Sequence, residues 1–79
     1  MKSIRVRLFG AFRNYQDELN LEIDSQATVQ DLRRALLDYF DNQALVMQSA
    51  IADEWQILMP DELIGSRTWL AILPPVCGG

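Results

Sequence analysis

The residues best suited to chemistry are the last six, Pro74-Pro75-Val76-Cys77-Gly78-Gly79. Glycine has no Cβ, so Gly78-Gly79 can enter a passage too narrow for any other residue. Proline fixes φ and donates no backbone hydrogen bond, so Pro74-Pro75 should end a preceding strand and hold the chain extended. An ordinary frayed end is the weaker interpretation, because this combination seldom arises by chance. The pattern predicts a terminus that is inserted into another protein.

Size and composition restrict the chemistry that the chain can do by itself. Its 79 residues correspond to one domain, residues 1–79, with residues 73–79 as an extended tail. A domain of this size has little room for a deep active site. One cysteine and no histidine leave no internal disulfide and no ligand set for zinc. Neither metal nor triad chemistry is expected.

The charge balance bears on partners and location. The formal net charge is −4, which is the wrong sign for holding nucleic acid. A negative charge either complements a basic docking surface on a partner or only keeps the domain in solution, and both explanations remain open. No apolar run approaches the ~18 residues of a membrane helix, and charges interrupt the start of the chain where a signal peptide needs an apolar stretch. We predict a cytoplasmic protein that does not enter membranes.

Two alternating patterns near the start of the chain predict a β-hairpin. In each, every second residue is apolar: Ile4, Val6 and Leu8 in the first, Leu19, Leu21 and Ile23 in the second. Residues 10–17 can close the hairpin. We expect acids of the second strand to form weak cross-strand pairs with Arg5 and Arg7.

A helix is predicted from Thr28, whose hydroxyl can accept a hydrogen bond from a free backbone amide. Asp31, in the first turn, can complete the capping box and interacts favourably with the positive end of the helix dipole. One apolar stripe follows at spacings of three and four: Val29, Leu32, Leu36 and Phe40. The helix should end at Asp41-Asn42. Its stripe belongs to the core rather than to a cofactor site.

The signal between residues 45 and 57 is weaker. An apolar stretch to residue 52 is followed by a turn at Asp53-Glu54 and a short strand at Trp55-Gln56-Ile57. Residues 59–65 contain a proline and a glycine and are predicted to be a connection with at most one helical turn. Trp69–Leu73 is a continuous apolar run, typical of a strand buried on both faces in the middle of a sheet.

This order of elements predicts an α+β fold of the β-grasp type. A mixed sheet of four to five strands should pack on one main helix. A right-handed crossover after the hairpin would place the final strand beside the first.

The closing pattern resembles that of one known family. A hydrophobic strand, Pro-Pro-Val, a small residue and Gly-Gly, present here as residues 70–79, is similar to the end of the molybdopterin synthase small subunit, a sulfur carrier of the ubiquitin-like superfamily. The segment Leu8-Phe9-Gly10-Ala11-Phe12-Arg13 is similar to the end of the first strand in that family. The chain departs from the pattern at Gly65-Ser66-Arg67-Thr68, where the family has an Asp-Gly-Asp-type turn, and at Asp53-Glu54, where it commonly has asparagine.

The resemblance implies a role for each residue of the tail. Gly79 would be adenylated by an ATP-dependent enzyme and converted by a persulfide donor to a thiocarboxylate, which would give its sulfur to a cyclic pterin in the large synthase subunit. Gly78 would give clearance, and Val76 would anchor the tail at the channel mouth. Pro74 and Pro75 would direct it. The chain itself would bind no cofactor, and the ATP would be consumed by the activating partner.

Several points stay open at the level of sequence. Cys77 replaces the family's small residue and either reacts as a thiol with the activated acyl group or a partner thiol, or simply fills the place of serine. Phe9, Arg13 and Trp69 are candidate interface residues. Among the aromatic candidates Phe9, Phe12, Trp55 and Trp69, at least two should pack in the core.

The resemblance implies a heterotetramer with the large subunit. The alternatives are a sulfur carrier for thiazole, tungsten-cofactor or tRNA thiolation pathways, a ubiquitin-like protein modifier, and an interaction domain with an inert tail.

Overall fold

The first and last strands in the sequence lie side by side at the centre of one mixed sheet. The structure is a computed structural model that describes residues 1–14 and 16–75. The elements are β1 (Lys2–Leu8), a 3₁₀ helix (Gly10–Asn14), β2 (Glu18–Ile23), α1 (Val29–Tyr39), α2 (Gln43–Gln48), β3 (Ala50–Ala52) and β4 (Trp69–Leu73). The sheet order is β2-β1-β4-β3, with β1 parallel to β4. The predicted β-grasp fold is confirmed.

The hairpin forms because its two strands each bury one face. Ile4, Val6 and Leu8 are almost fully buried, and the residues between them are exposed. The amide of Leu8 donates to the carbonyl of Asp17 at 2.9 Å and closes the hairpin. Arg5 Nε lies 3.5 Å from Glu18 Oε1, which confirms the cross-strand pairing predicted for Arg5. Both side chains are about half exposed, so this pair adds little stability.

The start of α1 has the capping box predicted from the sequence. Thr28 Oγ1 accepts a hydrogen bond from the amide of Asp31 at 3.2 Å, and Asp31 Oδ2 accepts one from the amide of Thr28 at 2.9 Å. Two further free amides of the first turn, of Val29 and Gln30, donate at 2.9 Å to carbonyls of the 59–65 connection. The helix begins here because nearly all of its free donors find partners.

The core lies between α1 and the inner face of the sheet. The apolar stripe of α1 is buried there against alternate residues of β1, β2 and β4. Phe12 of the 3₁₀ helix is fully buried, and its ring lies 5.1 Å from that of Phe40 at the end of α1. The 3₁₀ helix is therefore fixed to the core by its central residue.

The prediction for residues 45–57 was wrong in its details. Residues 43–48 form α2, and the strand is β3 at residues 50–52, before the turn rather than after it. Trp55-Gln56-Ile57 is no strand, because only Ile57 pairs, in a single antiparallel bridge with Ala52. Arg33 of α1 donates to the carbonyls of Val46 and Ser49 at 2.7 Å each and so holds the end of α2. The turn at Asp53-Glu54 is where it was predicted.

No helix within the described ranges is both long enough and apolar enough to cross a membrane.

Candidate functional site

The root of the tail is the end of a central strand. β4 pairs in parallel with β1, from Arg5 opposite Trp69 to Leu8 opposite Ile72. Because parallel strands end at the same edge of a sheet, the tail departs beside the 3₁₀ helix that follows β1. Pro74 is half-buried against this helix at Gly10, and Pro75 is exposed. Four predicted site residues, Val76, Cys77, Gly78 and Gly79, lie outside the described residues, and their roles stay predictions.

Of the candidate interface residues, Phe9 and Arg13 lie beside this edge, whereas Trp69 begins β4 at the opposite end of the strand. The guanidinium carbon of Arg7 lies 5.9 Å from the ring centre of Phe9 and 5.6 Å from that of Trp69. Cation–π attraction of this kind orders both rings and the cation together. Arg13 Nε lies 3.5 Å from Asp17 Oδ1, and both side chains are largely exposed. Phe9 and Arg13 line one shallow depression of about 260 Å³, and Arg7 links it to Trp69.

The face of the sheet turned away from α1, here called the outer face, carries a row of residues that the sequence did not reveal. Arg7 pairs with Ala71, Ala71 with Ala52, and Ala52 with Ile57. Directly paired residues point to the same side of a sheet. The two alanines are almost fully buried although they face outward, whereas Ile57 is 63% exposed. Larger neighbouring side chains therefore cover the two alanines on this face.

The aromatic residues distribute differently from the expectation. Phe12 alone of the four is fully buried, Trp69 is half-buried, and Phe9 is 39% exposed. Trp55 is 84% exposed at the turn after β3. The expectation of two core aromatics was wrong because Trp69 alternates with the buried Leu70 on β4 and so faces the outer side. The apolar run at residues 69–73 concealed that alternation.

The two turns at which the sequence departs from the family pattern contact each other. Arg67 Nε donates to Asp53 Oδ2 at 3.2 Å, and Arg67 Nη1 donates to the carbonyl of Leu63 at 3.0 Å. Lys2 Nζ donates to the carbonyl of Arg67 at 2.8 Å and to that of Gly65. Between these turns lies an open cleft of about 540 Å³, lined by residues 53–55 and 65–69. A partner can therefore reach both tryptophans from this side.

Hydrogen bonds fix the charge of Asp53. Its Oδ1 accepts from the amides of Trp55 and Gln56 at 2.8 Å each, and Oδ2 accepts from Arg67. The two backbone donors, with a smaller contribution from the Arg67 guanidinium, lower the pKa of the Asp53 carboxyl below its ordinary value. Asp53 is thus committed to the turn as an anion and is a poor candidate for acid or base catalysis.

The described part of the chain holds no cluster of three histidine, cysteine, aspartate or glutamate side chains that could bind a metal ion.

Comparisons with known structures agree with this architecture. SAMP1 from Haloferax volcanii superposes with a TM-score of 0.76 at 22% identity, over 99% of this chain and 100% of that chain. A putative molybdopterin converting factor subunit 1 from Pyrococcus furiosus gives a TM-score of 0.81 at 21% identity, over 96% and 100%. The UBL domain of Plasmodium falciparum Dsk2 gives 0.68 at 16% identity, over 92% and 96%. At these identities the likeness shows a shared fold.

Comparison of sequences identifies the family. No curated protein matches the chain significantly. The model of the ThiS family matches residues 6–79, which include the end of β1, the other three strands, α1 and the tail. The fold is the ubiquitin-like β-grasp, and the chain belongs to the ThiS family.

Proposed function

We propose that this chain is the sulfur-carrying small subunit of a molybdopterin synthase. The observation that carries the proposal is the root of the tail: Pro74-Pro75 continues β4, a central strand that is hydrogen-bonded to a neighbour on each side. The family match extends through residue 79. Similarity to a putative molybdopterin converting factor subunit 1 supports the pterin pathway over other sulfur pathways.

The chemistry begins with activation of the carboxylate of Gly79. A carboxylate is a poor acyl electrophile, so an ATP-dependent partner first joins it to AMP with release of pyrophosphate. The terminal sulfur of a persulfide donor (R–S–SH) then displaces AMP at the acyl carbon and forms an acyl disulfide. A second thiol reduces the S–S bond, forms a disulfide with the donor, and leaves Gly79 as the thiocarboxylate. In the large synthase subunit two such thiocarboxylates, one from each of two carrier chains, give one sulfur atom each to a cyclic pterin, which gains the two sulfurs of a dithiolene. Hydrolysis returns each Gly79 acyl group to the carboxylate. The chain is a substrate until the thiocarboxylate forms and the sulfur donor after that.

Each partner must hold the domain while it receives the tail. On the outer face Ile57 is exposed and Trp69 is half-buried, and Arg7 lies between the rings of Trp69 and Phe9, the latter beside the tail root. Phe9 and Arg13 extend this surface along the depression beside the tail root. Immobilising a residue costs about 1–2 kcal/mol of backbone entropy, and proline has already lost much of that freedom. Pro74-Pro75 therefore lowers the cost of inserting the tail.

We place the complex in the cytoplasm, as a heterotetramer with the large subunit. The chain binds no cofactor of its own, and its activating partner consumes the ATP.

Deletion of Gly79 tests the proposal. In a reaction with the adenylating enzyme, ATP and a persulfide donor, intact mass spectrometry of the wild-type chain should show one sulfur-for-oxygen exchange. The deletion variant, and a variant with an alanine added after Gly79, should show none and should not support dithiolene formation. Both variants should unfold at the wild-type temperature, because the change lies beyond β4. Sulfur transfer that survives the deletion contradicts the proposal.

A second candidate, a protein modifier, is favoured by the similarity to SAMP1, described in a related structure as small archaeal modifier protein 1. In that case Gly79 would form an amide with a lysine of another protein. Mass spectrometry of the chain recovered from cells distinguishes the two, since conjugates indicate a modifier and a thiocarboxylate indicates a carrier. Native co-purification distinguishes the sulfur pathways, because the identity of the protein that is recovered with the chain indicates the pathway. A large synthase subunit, for example, indicates the pterin pathway, and a thiazole synthase indicates the thiazole pathway.

A further inference from the structure

Gly10 lies directly against Pro74, where the turn after β1 meets the start of the tail. A methyl group placed on Gly10 would lie 2.6 Å from Cγ of Pro74, 3.4 Å from its Cδ and 3.8 Å from its Cβ. Carbon atoms pack best at about 3.5–4.0 Å, so the shortest of these distances is a clash. The proline ring occupies space that exists only because residue 10 has no side chain.

Neither side of this contact can yield freely. The ring of Pro74 is bonded to its own backbone at both ends, so it cannot rotate away as a longer side chain would. On the other side, the 3₁₀ helix is held by the fully buried Phe12, whose amide donates to the carbonyl of Phe9 at 3.1 Å. β4 is fixed two residues earlier by the pairing of Ile72 with Leu8. A displaced ring must therefore move the chain from residue 74 onward.

We propose that Gly10 is a positioning residue for the tail: its missing side chain lets Pro74 set the direction in which the chain leaves β4. The consequence for sulfur transfer rests on the proposed function, whereas the contact itself does not. The residue acts through Pro74 and touches none of the reacting atoms.

Gly65 supplies a matched control. Its φ is +62°, close to the +57° of Gly10, so alanine meets the same left-handed backbone at both positions. The nearest atom to a methyl group on Gly65 is the carbonyl oxygen of Leu63 at 4.0 Å, an ordinary contact. Gly10→Ala and Gly65→Ala thus share the backbone strain, and only Gly10→Ala adds the clash with Pro74.

The direction of the tail can be measured without any partner. Cys77 is the single cysteine, so a nitroxide label attached to it reports on nearby backbone amides through paramagnetic relaxation. We expect Gly65→Ala to keep the wild-type pattern of relaxation and Gly10→Ala to change it around the 3₁₀ helix and the end of β4. One common pattern in all three proteins would overturn the proposal.

Removal of the ring gives a second test. In Pro74→Ala the atoms at 2.6 and 3.4 Å are gone, and only Cβ at 3.8 Å remains near a methyl group on residue 10. Adding Gly10→Ala to Pro74→Ala should lower the unfolding temperature only as much as Gly65→Ala does. If Gly10→Ala alone fails to fold, the double variant should fold. If the double variant unfolds at as low a temperature as Gly10→Ala alone, the ring of Pro74 is not the cause of the destabilisation, and the proposal is contradicted.

The rate of adenylation joins this inference to function. Misplacement of a reacting group by about 1 Å can cost up to about a hundredfold in rate, so we expect Gly10→Ala to lower kcat/KM for adenylation about tenfold or more. In the Pro74→Ala background the same substitution should have little effect. Equal losses in both backgrounds contradict the positioning role. Failure of the wild-type chain to be adenylated contradicts the proposed function and leaves the relaxation result as the test of the contact.

Discussion

At the scale of single residues, the ion pair between Asp53 and Arg67 ties together the two turns that depart from the family pattern. The side chains are 13% and 30% exposed, so this pair is shielded from solvent more than the other ion pairs of the described chain. The two departures are thus coupled. A sequence comparison made turn by turn treats them as separate changes, whereas their contact shows that each position constrains the other.

Asp53 should make stability depend on pH. Its pKa is lowered in the folded state, chiefly by the amides of Trp55 and Gln56, while the unfolded chain has the ordinary value of about 3.9. The unfolded state therefore binds more protons, and the stabilisation is present above about pH 4 and is lost as the pH falls through the folded-state pKa. Urea denaturation at pH 7 should give Asp53→Asn a lower free energy of unfolding than the wild type. The difference between the two free energies should narrow as the pH falls below about 4.

Glu54→Gln is the control for this experiment, since Glu54 is the exposed neighbour of Asp53 in the same turn. It removes the same charge and keeps the hydrogen bonds of Asp53. A gap between Asp53→Asn and the wild type that stays constant down to pH 2 would contradict the assignment.

At the scale of elements, the capping box decides where α1 begins. Loss of an N-cap hydroxyl costs about 1 kcal/mol in other proteins, so Thr28→Ala should lower the free energy of unfolding by about that amount. Urea denaturation measures it directly. Ser25→Ala, in the exposed turn just before, should change stability by less than about 0.5 kcal/mol. Equal effects of the two variants would show that the cap is unimportant here.

The elements that could be predicted from sequence are those whose cause is local. In β1 and β2 every second residue is apolar, and α1 has an apolar residue at every third or fourth position. α1 also has its capping box within four residues of sequence. α2 could not be predicted, because its end is held by Arg33 from another helix, and an isolated helix of six residues is not stable. β3 has only three residues, too few to show an alternation. Its position follows from pairing with β4.

The residues of the candidate site also divide into those that the sequence indicated and those that only the fold brings together. The tail motif is contiguous and was visible in the sequence, and Phe9, Arg13 and Trp69 were named there as interface candidates. The row of residues on the outer face was not visible, because Ala52, Ala71 and Ile57 come from three segments that only the sheet register aligns. Alanines in an apolar run look like core residues until the topology shows which side they face.

At the scale of the whole molecule, the proposed function makes the outer face of the sheet, which carries the half-buried Trp69, the surface that a partner contacts. Half-buried aromatic residues near the centre of such surfaces carry much of the binding energy, so Trp69→Ala should weaken binding to the large subunit by about tenfold or more. Titration calorimetry with the purified large subunit measures this. Met47→Ala is the control, since Met47 is exposed on α2, which packs against α1 on the opposite side of the sheet. Equal affinities for both variants would place the interface elsewhere.

The parallel pairing of β1 with β4 also has a kinetic consequence. Arg5 and Trp69, 64 positions apart, are neighbours in the sheet, whereas the hairpin and α1 join residues close in the chain. Because long loops are closed late in folding, the hairpin and α1 can form early and β4 is expected to enter last. The tail gains its fixed root only at that final step. An activating enzyme that recognises the tail on its root would therefore select finished molecules, so folding itself would act as a checkpoint before the carboxylate is activated.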